Sequence, residues 1–235
     1  MSKQTTPIVL LKQLLAETDI PWIRLLYLHP ARVSEELLLL MAANTRLVPY
    51  LDIPFQHVSD HILRLMNRPS TKVQLIELMK TIRRILPLAA LRTTMMVGFP
   101  GETEDDITEM ADFLQEHHFD HLGVFAYANE EGCKAASLQD QISEEIKEER
   151  LRKIMELQAD ISFAALQKHV GAVEQVLVEG LSSESDLLLE GRTRYQAPEI
   201  DGCVYITRGT VEPGALVNVK ITEAHTYDLV GELKE

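Results

Sequence analysis

Polar residues and glycines follow two apolar segments of this chain, at the point where each segment ends. Gln56 and His57 come directly after the first segment, residues 50–55. The second segment begins near Arg92 and Thr93 and ends in the turn Gly98, Phe99, Pro100, Gly101 and Glu102. At the carboxyl ends of barrel strands, such side chains face a ligand, and glycines bring backbone N–H groups close to it. Two plainer interpretations stay open: Gln56 and His57 cap the following turn, and the glycine turn is an ordinary strand-to-helix corner.

Cysteine is sparse. The chain has two cysteines, Cys133 and Cys203, and neither belongs to a CxxC or CxxxCxxC run. An iron-sulfur cluster of the four-iron type needs three or four thiolates. We therefore assign no metal ligand to this chain, and we interpret Cys203 as a small, buried apolar residue.

Composition narrows the class of protein. The chain has 235 residues, with 23 basic and 36 acidic side chains and a net charge of −13. This balance argues against a large nucleic-acid footprint, because phosphate binding requires clustered Lys and Arg. No uncharged apolar run is long enough to span a membrane, and no secretion signal is recognisable at the N-terminus. We expect a cytoplasmic protein without membrane contact.

The hydrophobic pattern divides the chain into two parts. Residues 1–168 alternate short strand-like runs with helical segments, which is typical of an α/β parallel sheet. Its predicted strands are 22–28, 48–53, 91–97 and 122–127, and a long helix capped by Ser143 closes the part at residues 143–168. We expect the apolar stripe of this helix to face the core; it comprises Ile146, Leu151, Ile154, Leu157 and Ile161. Residues 169–235 predict a small five-stranded β-barrel with strands 173–178, 187–195, 203–207, 216–221 and 227–233.

Three motifs give the chain a family resemblance. They are Tyr50-Leu-Asp-Ile-Pro-Phe-Gln-His57, Val97-Gly-Phe-Pro-Gly-Glu102-Thr-Glu and Phe125-Ala-Tyr-Ala-Asn-Glu-Glu-Gly132. In order and spacing they resemble the fourth, fifth and sixth strand motifs of the methylthiotransferase family of radical S-adenosylmethionine (SAM) enzymes. The small barrel is similar to that family's TRAM domain, so the resemblance covers residues 22–233.

The resemblance implies a partial (β/α) radical-SAM barrel, comprising strands three to six, followed by a TRAM domain. Family members bind S-adenosylmethionine and 4Fe-4S clusters, generate a 5′-deoxyadenosyl radical and insert a methylthio group at an unactivated carbon. By position, the implied cofactor-binding residues are Gln56, His57, Arg92, Thr93, Gly98, Phe99, Pro100, Gly101 and Glu102.

The run from Gly191 to Gly202 indicates the branch. It resembles RimO, the branch that methylthiolates an aspartate of the small-subunit ribosomal protein uS12. Residues 170–235 carry 5 basic and 12 acidic side chains, a net charge of −7 that suits a basic protein partner better than RNA. Arg192, Glu199 and Asp201 are the predicted substrate-binding residues. The alternatives are a tRNA methylthiotransferase of the MiaB kind and a non-catalytic protein-binding remnant.

The chain also departs from the family. It lacks the CxxxCxxC triad of the first barrel strands and the family's N-terminal domain with its own cluster cysteines. We interpret it as a truncated chain that is inactive alone. We also expect the strand at residues 22–28 to have an unpaired edge that promotes self-association.

Overall fold

A four-stranded parallel sheet forms the first part of the computed structural model, which describes residues 6–130 and 132–234. Its strands are β1 (Ile23–Leu25), β2 (Leu47–Asp52), β3 (Ala90–Val97) and β4 (His121–Ala126), adjacent in chain order. Each pair of neighbours is parallel. All four predicted strands are present, and the predicted parallel α/β class is confirmed.

Six α-helices accompany the strands within the described residues. They are α1 (Pro7–Glu17), α2 (Glu35–Ala42), α3 (Asp60–Leu65), α4 (Lys72–Ile85), α5 (Glu104–His117) and α6 (Glu144–Leu166). Capping boxes begin α4 at Thr71 and α5 at Thr103, since each threonine and the side chain three residues later satisfy each other's backbone N–H groups. Across the described residues, no helix has the length and apolar character to span a membrane.

The two faces of the sheet have different chemistry. Leu51, Leu91 and Met95 point toward the helices and belong to the main apolar core, where each is 1% exposed or less. Burial of one such side chain stabilises a fold by about 1.5–3 kcal/mol. Because successive residues of a strand alternate between faces, Tyr50 and Arg92 lie on the opposite, concave face.

The long helix α6 packs across β4 and α5. Ile154 is fully buried, and Leu151 packs against the same core, as the predicted apolar stripe requires. The prediction was wrong for Ile146, which is 40% exposed, because its neighbour Lys147 is the buried residue in this turn of the helix. Ser143 occupies the N-cap position, but its side chain makes no capping hydrogen bond.

The second part of the chain is a closed β-barrel. Its strands are β5 (Val173–Leu181), β6 (Leu189–Thr193), β7 (Val204–Ile206), β8 (Leu216–Ala224) and β9 (Leu229–Leu233), in the order β5-β6-β7-β9-β8. Its interior is filled by small branched side chains such as Val176, Val204 and Ile221. The predicted five-stranded barrel is therefore confirmed.

Candidate functional site

A buried ion-pair network holds the ends of β2 and β3 together. Glu102 accepts hydrogen bonds from the Gly98 N–H and from Arg150 Nη1, both at 2.8 Å. Its other carboxylate oxygen lies 3.3 Å from His57 Nε2, and neither side chain is exposed. His57 Nδ1 accepts the N–H of Ser59 at 3.0 Å, so the turn-capping interpretation describes one of its ring nitrogens. The glycine turn is therefore held in place by buried side chains of the protein itself.

Gly98 is required by packing against α6. Its φ of +73° is in the left-handed region, and a Cβ placed there would lie 2.3 Å from Lys147 Cγ. Its N–H already donates to Glu102. The aliphatic part of the Lys147 side chain thus fills the space beside Gly98, and Lys147 is only 2% exposed.

Other predicted cofactor residues also have partners within the protein. Thr93 faces the helices, and its hydroxyl donates to the Ile53 carbonyl at 2.8 Å. Phe99 packs edge-on against Tyr127, with ring centroids 5.2 Å apart. Pro100 is buried, and the Gly101 N–H donates to the Asp140 carbonyl at 3.0 Å.

Gln56 and Arg92 are placed differently. Gln56 follows β2 with a positive φ of 72° and remains partly exposed. Arg92 lies on the concave face, where Nη1 is 3.5 Å from Asp52 Oδ1. The structure therefore brings His57, Gly98 and Glu102 together, but separates Arg92 from them. Their role in cofactor binding stays a prediction.

A second polar cluster occupies the concave face and includes Asp201 from the small barrel. The Tyr50 hydroxyl donates to Asp201 Oδ2 at 2.7 Å, and Arg92 Nε lies 3.4 Å from Asp201 Oδ1. The Asp201 side chain is 1% exposed. Burial, reinforced by Asp201, raises the pKa of Tyr50 well above its ordinary value. The guanidinium of Arg24 lies 4.4 Å above the Tyr50 ring, and burial lowers its pKa to about 10.

The small barrel carries a cleft of about 260 Å³, which we call the acidic cleft. Its charged lining residues are Glu179, Glu190, Arg192, Glu199, Asp201 and Asp228. Among the described lining residues Arg192 is the one basic member, and it pairs with Glu179, with Nε and Oε1 2.9 Å apart. All three predicted substrate-binding residues thus line one cleft, although the Asp201 carboxylate is already held by partners within the chain. Cys203 also lines it, and burial raises the pKa of its thiol to about 12.

The sequence interpretation missed the residues of α6 that complete the first network. Arg150 is 6% exposed and bridges Glu102 and Glu104, while Lys147 covers Gly98. Both belong to a helix rich in charges, so they look like solvated surface residues. The available signal was their spacing of three residues, which places them on one helical face toward the glycine turn.

Metal ligands are not grouped in the described residues: across 6–130 and 132–234, no three His, Cys, Asp or Glu side chains are arranged to hold an ion. Cys133 is exposed in the segment between β4 and α6, and Cys203 lies in the small barrel. These two thiols do not fit the ligand set of a four-iron cluster.

A parallel sheet with helices, joined to a closed five-stranded barrel, is the architecture of a radical-SAM protein with a TRAM domain. The sequence pattern of the radical SAM superfamily matches residues 5–114, and that of the TRAM domain matches residues 170–233. Among solved structures, coproporphyrinogen III oxidase (HemN) from Escherichia coli, a radical SAM enzyme, shares the fold. Its TM-score is 0.55 at 15% identity, over 80% of this chain and 50% of that one.

Sequence relatives specify the family. This chain is 54% identical over 95% of its length to the ribosomal protein uS12 methylthiotransferase RimO of Desulfotalea psychrophila. It is 48% identical over its whole length to the protein of the same name from Pelobacter propionicus. The chain belongs to the radical SAM methylthiotransferase family. It spans about half the length of these relatives, 51% and 52% respectively.

Proposed function

We propose that this chain provides the C-terminal part of a ribosomal protein methylthiotransferase whose substrate is an aspartate of uS12. The observation that carries the proposal is the acidic cleft, because the run from Gly191 to Gly202 that distinguishes the branch supplies Arg192 and Glu199 to its lining. An acidic surface attracts a basic ribosomal protein and repels the phosphates of RNA. The names of the relatives agree with this substrate.

The proposed cofactors are S-adenosylmethionine and 4Fe-4S clusters. When bound, they would supply the radical chemistry needed to modify an unactivated carbon of the substrate. Gln56 follows β2 and is partly exposed. Among the proposed cofactor contacts at the strand ends, it has the most accessible side chain. His57 and Glu102 are buried, and their proposed role is to hold the glycine turn in place. The two thiols of the described residues do not fit the ligand set of a four-iron cluster.

Three further features belong to the proposal. We divide the chain into a barrel part, residues 1–168, and a TRAM part, residues 169–235. We place the protein in the cytoplasm. Within the described residues β1 pairs only with β2, so its other edge has no strand partner and is a proposed site of self-association.

A binding experiment tests the docking role of the acidic cleft. Fluorescence anisotropy measures the affinity of this chain for labelled uS12, with bulk tRNA as competitor. We expect binding that weakens steeply with salt and that tRNA does not displace. Glu199→Lys should weaken binding about tenfold, which corresponds to about 1.4 kcal/mol.

Glu212→Lys is the matched control. Glu212 is exposed on the same barrel but does not line the acidic cleft, so the change in net charge is identical. We expect its effect to be less than about twofold, because exposed charges far from a contact are screened. Equal losses in the two variants, or displacement of uS12 by tRNA, would remove the support for the proposed substrate.

A further inference from the structure

One loop of the small barrel, residues 194–202, reaches into the concave face of the sheet. Arg194 donates a hydrogen bond to the Thr45 carbonyl, and His121 Nε2 lies 2.8 Å from the Tyr195 carbonyl oxygen. Ala197 is 2% exposed and packs with Tyr50 and neighbouring apolar residues of β2 and β3. The loop is therefore docked by contacts spread along its length.

Asp201 makes the most demanding of these contacts. Oδ2 accepts hydrogen bonds from the Tyr50 hydroxyl and the Ala197 N–H, both at 2.7 Å. Oδ1 lies 3.4 Å from Arg92 Nε and 3.5 Å from His121 Nδ1. A buried carboxylate is costly unless charges and donors compensate it. The loop itself provides only the Ala197 N–H, so the sheet must be docked for Asp201 to be compensated.

We infer that Asp201 is a positioning residue, whose carboxylate fixes the small barrel, and with it the acidic cleft, in one orientation relative to the parallel sheet. Glu199, an exposed member of the cleft, is two residues away on the same loop. The functional part of the inference rests on the proposed function. If uS12 docks in the cleft, the Asp201 contacts determine where the bound protein meets the strand ends.

Asp201 acts at a distance from those ends. Its partner Arg92 is five residues before Val97, the last residue of β3. At about 3.3 Å per residue, this separation is roughly 16 Å along the strand. Asp201 therefore contacts Arg92, one of the predicted cofactor residues, but lies away from the glycine turn at the end of β3.

The orientation can be measured without substrate or cofactor. Spin labels are placed on Val73→Cys in α4 and Leu181→Cys in β5, which replace side chains that are 67% and 66% exposed. Cys133→Ser and Cys203→Ala remove the native thiols. Pulsed electron paramagnetic resonance should give one narrow distance distribution for this reference chain. Asp201→Asn should at least double its width.

Tyr50→Phe is the milder variant, because it removes only the hydroxyl that donates to Asp201. It should broaden the distribution while leaving the affinity for uS12 within about twofold of the reference, since Tyr50 does not line the acidic cleft. General loss of folding would instead broaden the distribution and weaken the binding of uS12 at the same time. Glu199→Gln, an exposed change in the same loop, should leave the distribution narrow.

Wild-type distributions in Tyr50→Phe and Asp201→Asn would overturn the inference, whatever happens to uS12 binding. Broadening in both variants, with the Tyr50→Phe and Asp201→Asn double variant no broader than Asp201→Asn alone, would support it. Failure of the proposed function is separate, because it would show as equal uS12 affinities of the Glu199→Lys and Glu212→Lys chains.

Discussion

Replacing Gly98 by alanine tests whether packing against α6 explains this glycine. Two costs add. An alanine at φ +73° is strained by about 1 kcal/mol. Its Cβ would also lie 2.3 Å from Lys147 Cγ, and overpacking of this kind costs about 1–3 kcal/mol. We expect Gly98→Ala to lower the free energy of unfolding by about 2–4 kcal/mol, measured by urea denaturation.

A second variant separates the two costs. Lys147→Ala removes Cγ and Cδ, and the nearest remaining atom would be Lys147 Cβ at 3.2 Å from the new methyl group. In that background Gly98→Ala should cost only about 1 kcal/mol, because the backbone strain persists and the collision does not. The reasoning is refuted if Gly98→Ala changes stability by less than about 0.5 kcal/mol, or if its cost is the same in both backgrounds.

Three other predictions follow from the buried polar groups. Cys133 should be alkylated at least about tenfold faster than Cys203 at about pH 8, because Cys133 is exposed whereas burial raises the pKa of the Cys203 thiol to about 12; mass spectrometry measures both rates, and equal rates would contradict this. Because the folded state raises the pKa of Tyr50, its contribution to stability is complete below its unfolded pKa of about 10 and is lost as pH rises further; the alkaline loss of stability in urea should be shallower for Tyr50→Phe, and identical slopes would contradict the assignment. Arg150→Ala should cost about 3–5 kcal/mol, because it leaves a buried carboxylate unpaired, while the exposed control Arg152→Ala should stay within about 0.5 kcal/mol; similar costs would count against the buried network.

Sequence patterns predicted the strands well because each strand is a local apolar run. The predicted range 48–53 differs from β2 by one residue at each end, and the range 91–97 differs from β3 by one residue at its start. The helix α3 was missed, because six residues are too few to show helical periodicity. Ile146 was misassigned to the core because the pattern of apolar residues cannot reveal that a charged residue, Lys147, is buried in this turn instead.

The sites were less predictable because their contacts are not local. Asp201 lies in a polar loop that reads as exposed, yet it is held by Tyr50, 151 positions earlier. Arg150 and Glu102 are 48 positions apart and belong to a charged helix and a turn. The grouping of Arg192 with Glu199 in one cleft could be predicted from the sequence, because both residues belong to the run that resembles a single family branch.

The central claim is most directly tested by the activity of a chimera. In it, this chain replaces the matching part of the Desulfotalea psychrophila relative, to which it is 54% identical. The chimera is reconstituted anaerobically, supplied with S-adenosylmethionine and a reductant, and incubated with uS12 and with tRNA; mass spectrometry then locates any added methylthio group. We predict modification of an aspartate of uS12 and none of tRNA. A chimera that cleaves S-adenosylmethionine but leaves uS12 unmodified, or that modifies tRNA, would contradict the proposed function.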